Sequence, residues 1–424
     1  MLEQSILQNY LDILREELVP ATGCTEPIAI AYCAATLREL LGALPERVDA
    51  AVSGNILKNV KSVVVPNTGG RKGIGPAIAV GLVAGDAARD LQVISAVTEK
   101  QLAELDAYLQ RVEITVSCSH SPCQLDIDLR GSCGSHTARV RITNHHTNIV
   151  CLERDGEVLR ELPVVDSAEE HRADKSLLNV ADILRFAAEV PLEDLLPLLE
   201  PQVSCNSAIA EEGLRGTWGA QIGRILLEDY GDDIKQRAKA YAAAGSDARM
   251  SGCEMPVVIL SGSGNQGITA TVPILSAAKS LGIDEERTFR AVTLSNLMAI
   301  HIHADFGPLS GLCGATIAAA AAACGLVYLQ GGTLEQIGFA VNNMFGNVSG
   351  MLCDGAKADC ALKISTCVFA AFQCAAMALR SESVKATDGI VETDPEETIR
   401  NFVRLGNEGS SKCDDLILEM LLQK

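Results

Sequence analysis

The sequence predicts an α+β protein: a mainly α-helical catalytic domain carrying Gly-rich loops, and a smaller α/β domain that ends in an antiparallel meander. Three observations predict it. Between Val48 and about Leu162, short β-branched runs alternate with two helical stretches. From Ser176 onward nearly every segment has helical period or Ala-rich composition, interrupted at glycines. Finally, 424 residues exceed what one hydrophobic core organises, at roughly 100–200 residues per domain.

The elements follow in order. An amphipathic helix over residues 3–17 leads into a loop bounded by Pro20 and Pro27, and a second apolar helix runs to about residue 43. Residues 1–45 therefore form an N-terminal helical piece, expected to pack on the C-terminal domain. In the α/β domain, residues 46–170, strands are expected within DAAVSG, KSVVVPN, RVEITVSCS, QLDIDLRG, TARVRITNHH and NIVCLERDG, with helices near 74–90 and 98–111. The polar stretch Asp166–Lys175 reads as a linker. The helical domain, residues 171–424, is expected to break at AGSDARMSG (244–252), SGSGNQG (261–267) and GNVSGMLCDG (346–355). Such loops, where backbone approaches a ligand, are where function concentrates. Residues 306–334 carry no charge, but their Ala, Gly, Ser, Thr and Cys content suits a buried, closely packed helix better than a membrane span.

Charge excludes some functions. A net charge of −19 repels nucleic-acid phosphates and anionic membrane surfaces, so neither is expected as a partner. The N-terminus lacks a basic n-region and a small-residue cleavage site, which points to a cytoplasmic protein with reduced thiols. A homo-oligomer is compatible with the sequence.

Fifteen cysteines are then the feature to divide. Cys353, Cys360, Cys367 and Cys374 follow one another at intervals of seven. On a continuous helix that step advances about 10.5 Å along one stripe, too far for all four to share a small cluster. Residues 359–379 are strongly helical, so Cys367 and Cys374 belong to the core, whereas Gly355 can break the chain and let Cys353 and Cys360 converge. Cys313, flanked by Gly311 and Gly314, is a third thiol on a loop, and Cys324 lies in the Ala run as a core thiol. Three thiolates from two loops suit an iron–sulfur cluster, while the absence of any C-x-x-C argues against a zinc ribbon or thioredoxin-type site. Three ligands rather than four leave one iron open as a Lewis acid, which suits non-redox lyase chemistry.

Strand Val257–Leu260, the SGSGNQG loop and the following helix place backbone N–H groups with Ser263, Gly264 and Asn265 at a helix N-terminus, a site for a substrate carboxylate. Gly262, Gly264 and Gly267 formally satisfy G-x-G-x-x-G, but no βαβ unit follows, which speaks against dinucleotide binding. The loop is also similar to the carboxylate loop of pyridoxal-phosphate eliminases, although the Schiff-base lysine motif of that group is missing. Cys24 stands at the start of a helix, where the helix N-terminus favours a thiolate and Glu26 opposes it; an inert buried thiol is the competing reading. His301 and His303 point in different directions, and one is a candidate proton shuttle. His145-His146 reads as loop. Asn55, Lys58, Asn59 and Asn67 form a polar group in which a cation could hold a carboxylate.

ATGCTEP (21–27), SGNILKNVK (53–61), PNTGG (66–70), SGSGNQG (261–267), LSGLCGA (309–315) and GMLCDGAKADC (350–360) together resemble the L-cysteine desulfidases, iron–sulfur lyases related to the bacterial L-serine dehydratase alpha chain. The likeness extends over almost the whole chain. It implies a 4Fe-4S cluster with three cysteine ligands, at positions corresponding to Cys313, Cys353 and Cys360, spaced by 40 and 7 residues. It implies Cys24 as catalytic base, and a small L-amino acid as substrate. The expected reaction is α,β-elimination from L-cysteine to pyruvate, ammonia and hydrogen sulfide. An L-serine dehydratase with the same cluster, a pyridoxal-phosphate β-eliminase and a non-enzymatic iron–sulfur sensor are the alternatives.

Overall fold

A computed structural model describes residues 2–423 apart from 120, 122, 124, 165–172 and 307–310. Most of the expected linker at 166–175, and the residues just before Gly311, lie outside the described residues.

Helix α1 (Gln4–Glu17) leads to a short strand β1 (Pro20–Thr22) and helix α2 (Thr25–Leu41). Then follow β2 (Arg47–Val52), α3 (Gly54–Val60), α4 (Ile74–Ala84), α5 (Glu99–Arg111) and the run β3 (Glu113–Cys118), β4 (Asp126–Cys133), β5 (His136–Thr143), β6 (Ile149–Arg154) and β7 (Glu157–Glu161). Strands β2 to β7 form a six-stranded sheet of order β3-β2-β4-β5-β6-β7, in which only β2 and β3 run parallel. Alternation sets its inner face: Val48, Ala50 and Val52 on β2, and Ala138, Val140 and Ile142 on β5, are buried. Across β4 and β5, Arg139 and Arg141 each hold an aspartate, Asp128 and Asp126, through two hydrogen bonds of 2.6–3.0 Å. Helix α5 starts at a capping box in which Thr98 and Gln101 satisfy each other's backbone N–H.

Three details of this unit differ from the sequence reading. KSVVVPN forms no strand, only an isolated bridge between Val64 and Lys72. Helix α4 stops at Ala84, because Gly85 is extended, and a 3-10 turn covers 87–92. Residues 54–60 form α3, capped by Ser53 through the Ile56 N–H.

The helical unit comprises α6 (Val180–Glu189), α7 (Leu192–Arg215), α8 (Ile222–Tyr230), α9 (Ile234–Met250), strand β8 (Pro256–Val258), α10 (Gly264–Leu281), α11 (Glu285–Ala304), α12 (Gly314–Leu329), α13 (Leu334–Val348), α14 (Cys360–Ala378), α15 (Pro395–Arg404) and α16 (Ser411–Leu422). Helix α12 is buried on nearly every face, as its small side chains allow. Among the described residues α14 is the one helix long and apolar enough to cross a membrane; Ile364, Cys367, Val368, Ala371 and Cys374 turn into the helical core. The expected break at 244–252 does not occur before Met250. Helix α9 runs through Gly245, which packs against Ala210 and Ile268.

Two hydrophobic cores organise the chain. One collects α1 with α6, α7 and α9–α15; the other collects α2, α4, α5 and the sheet. The two N-terminal helices thus part company: α1 joins the helical core, while α2 lies against β4 and β5. That differs from the expectation that both pack on the C-terminal domain, and the reason is composition. Helix α2 is apolar over most of its surface, with Ile28, Ile30, Cys33, Ala34 and Leu37 buried, so it can only be an interior helix of the sheet layer. A third, small cluster of Cys24, Val63 and Met250, with Ala356 and Cys360 against it, draws on both units. The site lies there.

A thiol-lined cavity as candidate active site

Two short backbone pairings assemble the site. Strand β1 runs antiparallel to β8, with Pro20 opposite Val258 and the Ile259 N–H donating to Val19 O at 2.9 Å. The chain then turns at Gly23 into Cys24, the N-cap of α2, while β8 leads into Ser261 to Ser263 and the start of α10. Thr25 Oγ1 ties the loops together by donating to Gly262 O at 3.0 Å. The second pairing zips the thiol loops: the Cys313 N–H donates to Met351 O and the Cys353 N–H to Gly311 O, both at 2.8 Å, around a bridge between Leu312 and Leu352. Gly355 then turns the chain at φ +97°, a conformation costly for any side chain, and a Cβ there would stand 2.4 Å from Lys58 O. Helix α14 begins five residues later, at Cys360.

The result is one cavity of about 1430 Å³ lined, among others, by Cys24, Cys313, Cys353, Cys360, Ser263 and Asn265. Gly264, expected with the last two, is buried against Arg249 at the base of α10. Of the fifteen cysteines, all of them free thiols, the four singled out from sequence meet here.

Cys313 and Cys353 are hydrogen-bonded to each other. That bond, opposed by burial and reinforced by Lys58, the Gly355 N–H and Lys363, holds Cys353 below the ordinary thiol range, and the same bond and burial push Cys313 up. Burial raises Cys360. Around the loop, Asp354 is held by Lys357 at 2.5 Å and by Lys363, whose Nζ also donates to Leu352 O at 3.0 Å. Among the described residues no three Cys, His, Asp or Glu side chains close on a point for a single ion. The thiols of an iron–sulfur cluster bind separate irons and need not do so. Three thiols free of disulfides on one wall, with Lys58 and Lys363 near Cys353, are a donor set that fits such a cluster.

Cys24 lies 2% exposed, and its Sγ donates to Glu26 Oε2 at 2.9 Å. Glu26 also accepts from Asn59 Nδ2 at 3.1 Å, and it shares the Thr25 hydroxyl, 3.1 Å away, with Gly262 O. Burial first, then the Glu26 carboxylate, push the Cys24 thiol well above its usual range; Arg249 works the other way. Burial would raise Glu26 too, yet His146, the Cys24 hydrogen bond, a backbone N–H and Arg249 together hold it low. The resting pair is therefore a neutral thiol beside a carboxylate.

Sequence reasoning missed part of this wall. Glu26, which the sequence sets against a thiolate, is the hydrogen-bond acceptor of Cys24. His146, read as loop, lines the cavity near Glu26, and burial lowers its pKa. Arg249 and Gln266 line it as well. Of the two candidate shuttles, His303 borders the cavity, whereas His301 is taken by Glu396 at 2.7 Å. Lys58 lines the cavity but is ion-paired with Asp414 of α16, so the carboxylate it holds belongs to the protein itself. Asn67 donates to Ile94 O and serves the loop.

Residues 88–419 match the family described as the serine dehydratase alpha chain. The chain belongs to that family. It is 45% identical to a UPF0597 protein of Desulfitobacterium hafniense, covering 98% of this chain and 97% of the relative. UPF0597 proteins of Lachnoclostridium phytofermentans (45%, 98% and 99% covered) and Treponema denticola (41%, 100% and 99% covered) are similar over their full lengths. The family is one of lyases of the serine dehydratase type, and generally one of 4Fe-4S enzymes.

Proposed function

We propose that the protein is an iron–sulfur lyase that performs α,β-elimination on a small L-amino acid, with L-cysteine as the preferred substrate and pyruvate, ammonia and hydrogen sulfide as products. One observation carries the reading: the Cys313–Cys353 pair, Cys360, Cys24 and the N-terminus of α10 all face one cavity. Cys313, Cys353 and Cys360 would hold the cluster. When bound, a cluster with three protein ligands supplies an open iron that polarises and accepts the β-substituent as a Lewis acid.

The rest falls to the chain's own side chains. The first backbone N–H groups of α10, beside Ser263 and Asn265, receive the α-carboxylate, where the helix dipole favours negative charge. Cys24 removes the α-proton. Because its thiol rests protonated, it must first pass that proton to Glu26, the acceptor 2.9 Å away, and Arg249 favours the thiolate that remains. Asn59 and Thr25 fix the Glu26 carboxylate so that the proton has one short path. Thiolate affinity of iron is the reason to prefer L-cysteine; the family description favours L-serine as the second reading.

Anaerobic purification with iron and acid-labile sulfide assays, followed by sulfide and pyruvate release from L-cysteine and L-serine, tests it. Stoichiometric iron with faster sulfide release is expected. Protein without iron that still turns over would overturn the cluster, and faster turnover of L-serine would replace the substrate.

A further inference from the structure

We propose that Arg249 binds the α-carboxylate of the substrate and that, with Asn265 and Gln266, it makes the cavity a receptor for an amino-acid zwitterion. Arg249 sits at the end of α9 in the segment YAAAGSDARM, where every side chain from Ala242 on is small or turned inward. It is 3% exposed and lines the cavity, yet its Nε has no hydrogen-bond partner, and among the described residues no carboxylate lies within ion-pair distance of it. A buried guanidinium without a partner is costly unless something arrives to pair with it. Glu26 feels the charge of Arg249 but makes neither an ion pair nor a hydrogen bond with it; its bonds run to Cys24, Thr25 and Asn59.

The guanidinium is also aimed. A Cβ on Gly264 would stand 2.3 Å from Arg249 Nε and 2.8 Å from Cζ, so the absence of a side chain at the first residue of α10 is what lets the guanidinium lie against that helix start. A carboxylate there would meet the planar fork of Arg249 and the free N–H groups of α10 together. The same wall carries two unpartnered acceptors, Asn265 Oδ1 and Gln266 Oε1. Gln266 is 6% exposed and lies against Gly314, the residue after Cys313, where a Cβ would be 3.0 Å from its amide. An unpaired cation and unpaired acceptors on one wall complement the carboxylate and ammonium of an α-amino acid.

This deepens the lyase reading and rests on it for the reaction, although binding can be measured without turnover. L-alanine has no leaving group, and L-alaninamide lacks the carboxylate; both are titrated calorimetrically into the anaerobically prepared full chain and its R249K and R249M variants. L-alanine should bind the unmodified protein and L-alaninamide far more weakly, and R249M should lose L-alanine affinity on the order of 100-fold, with R249K intermediate. In turnover, R249K should raise KM for L-cysteine far more than it lowers kcat. Equal binding of the two ligands by the unmodified protein, or full L-alanine affinity in R249M, would overturn the assignment. Should R249M fail to fold, the ligand comparison and R249K decide. Arg249-dependent binding without lyase activity would sink the proposed function and leave this inference standing, whereas lyase activity with a KM indifferent to Arg249 would do the reverse.

Discussion

The loop 349–359 and helix α14 carry the same cysteine spacing to opposite ends. Cys353 and Cys360 face the cavity, while Cys367 and Cys374, the next two steps of seven, are buried in the helical core at 0% and 2% exposure. What separates them is where the helix starts. Before Cys360 the backbone is pinned by Gly355 and by the pairing with the Cys313 loop; after it, each step of seven carries the thiol about 10.5 Å further along the same stripe of α14, away from the cavity and in among Ile364, Val368 and Ala371. Spacing alone does not sort ligands from packing. The polar groups divide in the same way: inside the helical unit Gln202 and Asn296 exchange two hydrogen bonds, of 3.0 and 2.7 Å, whereas Arg249 Nε on the cavity wall has none.

The sharpest way to break this comparison is to remove one thiol from each side. Cys353→Ala should abolish iron incorporation and lower lyase turnover by at least ~10³-fold, since the Lewis acid contributes several kcal/mol to the barrier. Cys367→Ala should keep its iron and its activity, and lose about 1 kcal/mol of stability for the small cavity left behind. Iron and labile sulfide content, turnover and a denaturant midpoint on both proteins decide it. Loss of iron in the Cys367 variant, or its retention in the Cys353 variant, would erase the distinction.

Cys24→Ala separates roles within the cavity. Turnover should fall by about 10²–10⁴-fold, the range typical of a positioned acid–base group, while iron content stays at the level of the unmodified protein. A parallel loss of iron would make Cys24 a ligand instead of a base, and undiminished turnover would remove it from the reaction.

How much of this was legible beforehand depends on the kind of signal. The α+β class, the strands β2 to β6 and the helices α1, α2 and α5 follow from local periodicity, which is what a sequence displays best. Glycines beside the four thiols mark loops, but the family likeness is what singles out Cys24 as base and Cys313, Cys353 and Cys360 as ligands. Arg249 and His146 were not, for different reasons. His146 depends on a β5–β6 turn that brings it to the same cavity as Glu26, 120 residues earlier in the chain (146 − 26), a proximity that no local pattern encodes. Arg249 was hidden by its own glycines: Gly245 and Gly252 suggested a loop, where an exposed arginine is unremarkable. Its signal was there, a lone cation in a run of Ala, Gly and Ser able to pack only inside a protein. Reading helix α9 through Gly245 would have exposed it.

Gly355→Ala tests the turn that divides the two regions. The φ of +97° and the 2.4 Å approach to Lys58 O leave no room for a Cβ, so the loop must shift. The expected cost is about 1–3 kcal/mol, with weaker iron retention on dilution or chelation, because Cys353 and Cys360 lose their mutual placement. A variant as stable as the parent, with iron equally resistant to a chelator, would mean that the turn is not what brings the thiols together.

The last effect lies in the interior, two residues before Arg249. Asp247 is 0% exposed, but unlike Arg249 it has partners, the N–H groups of Ala220 at 3.3 Å and Ile222 at 2.7 Å. Burial still dominates and pushes its carboxyl up to about 6, against those two donors. In the unfolded chain it titrates near 4. Between about pH 4 and 6 the folded protein keeps a proton that the unfolded chain has released, so stability from this group falls as pH rises through that window and is level above it. Asp247→Asn keeps an acceptor for Ile222 and removes the titration. The stability of the variant relative to the parent should therefore rise by about 2 kcal/mol between pH 4 and 6.5, read from urea midpoints at each pH. Parallel curves would mean that the two backbone donors hold Asp247 ionised throughout, and that a buried charge on α9 needs no more than good hydrogen bonds. Arg249, whose Nε has no such hydrogen bond, would then be the buried charge on α9 that needs a ligand.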